Sequence, residues 1–141
     1  MGIPNVEVSV LAVIISAAAS ILFGAFWYSP LLFGKVWAKL AGIRKLTNQV
    51  QMQRSMRRAH FFTVVVTLIA TYVLAQFVAY LTVSSFVSGV QLSLLVWIAF
   101  EVPLTLNEVL WGGKSWKLFL LNAAHHLFAL VIGTSVLVAF Q

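Results

Sequence analysis

Four apolar stretches constrain this chain more than anything else in it. Residues 8–28, 60–83, 90–111 and 116–140 are each long enough to cross a hydrocarbon layer of about 30 Å as a helix, at roughly 1.5 Å per residue. Inside a bilayer every backbone N–H and C=O needs a partner within the protein, and a helix supplies its own. Charged residues make up 9% of the chain and the mean hydropathy is +1.01. Soluble domains carry about 25% charged residues, so this chain cannot clothe a water-facing surface. The expectation is an all-α, polytopic membrane protein forming one domain over residues 1–141. Its four transmembrane helices would make an antiparallel bundle in which sequence neighbours pack, with a short interfacial helix after the first span.

The connections set the orientation. Lys35, Lys39, Arg44, Lys45, Arg54, Arg57 and Arg58 fall between the first two spans, and Lys114 and Lys117 fall between the last two. Both connections lie on one side, which the positive-inside rule makes cytoplasmic. Both termini are then expected outside the cytoplasm, with the cell membrane as the expected location. Trp27, Trp37, Trp111 and Trp116 gather at the same boundary, as aromatic belts do. This placement accounts for the formal charge of +6 without nucleic acid as a partner. The chain has no cysteine, which excludes disulfides, thiol catalysis and Cys-ligated metal.

Residues 31–42 mix apolar side chains with Lys35 and Lys39, a pattern for a helix lying in the interface with its lysines snorkelling. Thr47 is placed to cap a helix running on into the second span. In the first span Ser9, Val13, Ser16, Ser20 and Gly24 recur near helical spacing, a small-residue stripe suited to close helix packing. In the second, Thr63, Thr67, Thr71, Ala75 and Ala79 do the same.

The third span carries Glu101 and Glu108, two of the three acidic residues, with Pro103 between them. Glu101, Thr105 and Glu108 stand at i, i+4 and i+7, on one helical face. A carboxylate near mid-span is costly in lipid, by about 2.5–3.5 kcal/mol on insertion scales, so Glu101 should face protein or water. Pro103 lacks an amide hydrogen, which leaves the Ala99 carbonyl without its helical donor. Counting from the turn at Gly113, Glu101 lies twelve residues before it and His125 and His126 twelve and thirteen after. An antiparallel pair therefore brings them to one level. Adjacent histidines point about 100° apart, so one of them at most meets Glu101. Asn122 extends the same polar face.

These residues suit a proton or substrate pathway comprising Glu101, Thr105, Glu108, Asn122, His125 and His126. The matching function is a small oligomeric proton-coupled transporter or ion channel. The alternative is a structural or accessory subunit of a larger membrane complex, with or without a His-ligated cofactor. Nothing in the chain names a cofactor or a metal, and the i, i+4 His spacing of helical metal sites is missing. No nucleophile–base pair or Gly-rich phosphate loop points to an enzyme. The expected partners are the lipid bilayer and either further copies of the chain or other membrane subunits.

The exit of the first span reads Gly24-Ala-Phe-Trp27-Tyr28-Ser29-Pro30-Leu-Leu-Phe33-Gly34-Lys35-Val-Trp37. It resembles a family of small four-helix membrane proteins of unknown function with a G-x-x-W-Y-S-P-x-x-F-G-x-x-W motif. The resemblance implies four spans and no established activity. Physically the motif reads as an interfacial helix exit: Trp27 and Tyr28 at the boundary, Ser29-Pro30 stopping the span, Phe33, Gly34 and Trp37 turning the chain along the surface.

Overall fold

A computed structural model describes residues 6–43 and 49–140. Every regular element among these residues is helical. In chain order they are α1 (Val10–Trp27), α2 (Gly34–Leu40), α3 (Gln49–Tyr80), α4 (Phe86–Val96), a π-helical turn (Trp97–Glu101), α5 (Val102–Leu110) and α6 (Trp116–Ala139). Four segments are long and apolar enough to cross a membrane: Val10–Trp27, Gln53–Tyr80, Phe86–Leu110 and Trp116–Ala139. The expected all-α architecture is observed, with α2 inside the stretch read as interfacial. Thr47, Arg44 and Lys45 lie outside the described residues.

Side-chain caps explain several helix starts. The Ser9 and Ser115 hydroxyls accept from the Ala12 and Leu118 amides, and each opens a span. Ser85 does the same for α4 through a capping box with Ser88. The third span therefore begins at Phe86, four residues before the expected Val90. Ser84 to Gly89 reads as a short uncharged turn in sequence, yet Ser85 and Ser88 satisfy free amides at the helix start. The helix preceding this turn ends with Thr82 at a φ of 50° and the Val83 amide donating back to the Val78 carbonyl.

α6 is the central helix. It packs most extensively against α1, then against α4, and also touches α2, α3 and α5. α1 and α3 pack on each other as well, whereas the third span leans chiefly on α6 and makes little contact with α3. Sequence neighbours thus pack in two of three cases, and a further extensive pairing joins the first and last spans. The small-residue stripe of α1 explains that pairing. Ser16 is fully buried and donates to the Gly133 carbonyl at 2.8 Å, and Ser20 lies over the Ala129 carbonyl. Across α6, buried Ser93 bonds both the Gly89 carbonyl and the Thr134 hydroxyl. A core of Ala12, Val13, Leu74, Ala75, Val78, Leu92 and Leu137 fills the space between. Thr71 and Ala75 of the α3 stripe are buried, while Thr63 is exposed and returns its hydroxyl to the Ala59 carbonyl. Large apolar side chains such as Leu22, Phe61, Leu95, Leu104 and Leu120 point outward, as lipid-facing residues do.

Candidate functional site

The π-helical turn interrupts the third span just ahead of Pro103. In it the Val102 amide donates to the Trp97 carbonyl, one residue further back than an α-helix allows. The turn gives way to α5 where proline withholds a donor, and Pro103 then occupies the first turn of α5, the position that best tolerates it. The Thr105 hydroxyl donates to the Glu101 carbonyl at 2.7 Å, the back-bond to residue i−4 that threonine commonly makes in a helix. The widened turn ends on Glu101, about ten residues from the end of the span at Leu110.

From there Glu101 reaches His126 on α6, with Oε2 2.6 Å from Nδ1. The contact falls outside hydrogen-bond geometry and is an ion pair only when the imidazole carries a second proton. Equal depth, expected from the count about Gly113, is therefore observed, and the partner of Glu101 is His126. Trp97, one turn before Glu101, locks the same two helices by donating its indole N–H to the Ala123 carbonyl at 2.8 Å.

His125 turns the other way, into α1. Its ring stacks on Phe23 (5.7 Å between centroids, 7° between planes), and Tyr28 and Trp27 pack on it at 4.8 and 6.1 Å. A side-chain carbon added at Gly24 would come within 3.2 Å of its Nε2, so the absence of one seats the imidazole against the α1 backbone. The Tyr28 hydroxyl donates to Asn122 Oδ1 at 3.0 Å. Trp27 also packs on Phe33 and Phe128, and Tyr28 on Trp37. The motif at the α1 exit thus does more than mark a boundary. Trp27 and Tyr28 turn inward onto His125, while Trp111 and Trp116 face outward.

Of the six pathway residues read from sequence, the structure joins Glu101, Thr105 and His126 in one group and Asn122 and His125 in a second beside it. Glu108 stands apart, exposed near the end of α5. Phe23, Phe128 and Trp97 belong to the site and carry no polar signal in the sequence beyond their spacing from the motif and from Glu101. Among the described residues no group of three or more His, Asp or Glu side chains is placed to hold a metal. A cleft of about 610 Å³ opens at the other end of the bundle, between Glu7, Ser9, Ala12, Ala75, Ala79 and Leu137, away from all of these residues.

The model of a family described as a protein of unknown function (DUF1761) matches residues 11–138. The chain belongs to the DUF1761 family. No curated protein and no solved structure matches it. The DUF1761 match runs through all four apolar helices and takes in both the Glu101–His126 contact and the aromatic seat of His125. Family and helices together fit an integral membrane protein.

Proposed function

We propose that this DUF1761 chain is a small, homo-oligomeric integral membrane protein in which the Glu101–His126 pair binds and releases a proton, as a proton-coupled transporter or channel requires. The observation that carries the reading is the 2.6 Å contact between a carboxylate and an imidazole on two membrane-spanning segments. Ionisable groups at such depth are expensive and tend to mark ion or proton pathways. Each group can offset the other's charge, so removing one should disturb the other. The side chains of His126 and Glu101 are 37% and 36% exposed, which in a lone bundle would turn them toward lipid. A further copy of the chain over that face removes the conflict, hence the oligomer. The basic connections support, by the positive-inside rule, a reading with both termini outside the cytoplasm and the cell membrane as the location.

Infrared difference spectra of the carboxyl band over roughly pH 5–9 test the pair, a window set by the reference pKa of histidine. Glu101→Gln should change the titration of the His126 ring, and His126→Ala should change that of the carboxyl. If the carboxyl band titrates alike in the parent and in His126→Ala, the pair does not exchange a proton. A structural or accessory subunit is then the better reading.

A further inference from the structure

We infer that the α1 exit and the first three turns of α6 enclose an aqueous path leading from the lysine-bearing end of the bundle to the Glu101–His126 pair. The path deepens the proton-linked reading and rests on it for its use, though not for its existence.

The lengths of the helices are the first reason. α1 has 18 residues and α6 has 24, about 27 and 36 Å. Tyr28, at the end of α1, bonds Asn122, which lies about 9 Å along α6 from Trp116. The chain leaves α1 there in a non-helical turn, with the Phe33 amide on the Trp27 carbonyl and the Gly34 amide on the Ser29 carbonyl. Irregular backbone at depth is tolerated where it is covered by protein or lines water.

The polar atoms at that turn are the second reason. Trp27 Nε1, Ser29 Oγ and both ring nitrogens of His125 are buried without a hydrogen-bond partner among the described residues. Buried polar groups are nearly always bonded, to protein or to internal water. These four are also continuous with the pair. Ser29 follows Tyr28, the Tyr28 ring lies 4.8 Å from His125, and His125 lies 5.4 Å from His126. Phe23 and Phe128 wall the row on its apolar side.

The opposite half of the bundle supplies the contrast. There, between the pair and the cleft beside Ala12 and Leu137, the buried hydroxyls of Ser16, Ser93 and Thr134 are all engaged with protein atoms, which leaves none of them in want of water. Water then reaches the pair from one side only.

The absence of native cysteine makes the test direct. Ser29→Cys and Asn122→Cys should react with a charged, water-soluble methanethiosulfonate added at the lysine-bearing face, and not from the other face. Thr134→Cys in the dry half and Leu120→Cys on the lipid side should resist from both. In the unsubstituted chain, the Trp27 indole hydrogen should exchange in D2O while that of Trp97, bonded to Ala123, is retained. Resistance of Ser29→Cys and Asn122→Cys equal to that of Thr134→Cys overturns the path. So does a Trp27 indole retained as long as that of Trp97, a readout that needs no substitution. Labelling without carboxyl–imidazole coupling would keep the path and remove the proton-linked function; coupling without labelling would do the reverse.

Discussion

Gly34 is confined to glycine by the turn it closes. A side-chain carbon there would overlap the Tyr28 carbonyl oxygen and fall within 2.8 Å of the Ser29 backbone, which cannot swing aside as a side-chain tip can. Gly34→Ala should therefore lower stability by about 1–3 kcal/mol, the usual cost of forcing bulk into a packed site, read from unfolding in detergent. Gly24 differs, because its neighbour is the movable His125 ring. Gly24→Ala should leave stability near the parent, since the helix-propensity gain of about 0.8–1 kcal/mol offsets the crowding. The His125 ring resonances should shift; if they stay fixed, the ring is not seated on Gly24. Sequence made part of this legible. Fixed rise per residue puts Glu101 level with both histidines by counting alone. Which histidine faces it depends on the rotation of α6 and on a π turn between Trp97 and Glu101, and neither enters a count. The inward turn of Trp27 was hidden for a related reason: an aromatic at a helix exit suits headgroups and a neighbouring ring equally well.

At the scale of elements, the third span shows how one residue sets the aim of another. Pro103 signals a break, but not its form. A kink, a lost bond or a widened turn would each relieve the missing donor, and the choice here is a π turn upstream. Pro103→Ala returns an amide able to reach the Ala99 carbonyl and close a regular α-helix. Without the extra residue in the turn, α4 and α5 change their relative rotation and Glu101 is re-aimed. The substitution should hold or raise helix stability, since proline is the poorest helix former, while weakening the link between Glu101 and His126. Unfolding measurements and the carboxyl band separate the two effects. A variant as stable as the parent with an unchanged band would show that the π turn does not depend on Pro103. The start of α4 teaches the same lesson from the other direction. Ser85 and Ser88 look like turn residues until their side chains are seen to cap the helix.

In the whole molecule α6 sits between two partners: α1, which also holds α3, and the third span, which packs chiefly on α6. That arrangement was the least legible part. Each span is apolar on nearly every face, so periodicity does not say which faces meet. The decisive contacts are small residues and hydroxyls, such as Ser16 beneath Gly133, whose signal is weak in any one helix. An even number of spans returns the termini to one side, so reporter fusions at Met1 and Gln141 should both read as non-cytoplasmic if the basic connections are inside. The third span packs chiefly on α6 and leaves its far face open, which also predicts where copies of the chain meet. Ile98 and Leu104 are 58% and 67% exposed and stand three residues to either side of Glu101. A second copy that shields Glu101 and His126 must therefore cover these two as well. Single cysteines at Ile98 or Leu104 should cross-link between copies in native membranes, whereas a cysteine at Leu22, equally outward on α1, should not. The cross-link should also weaken when Glu101→Gln removes the charge that the partner shields. Cross-linking at Leu22 but at neither third-span position would move the interface to α1 and leave the Glu101–His126 pair facing lipid. A charged pair in that position is costly, so that result would count against the oligomeric, proton-linked reading as a whole.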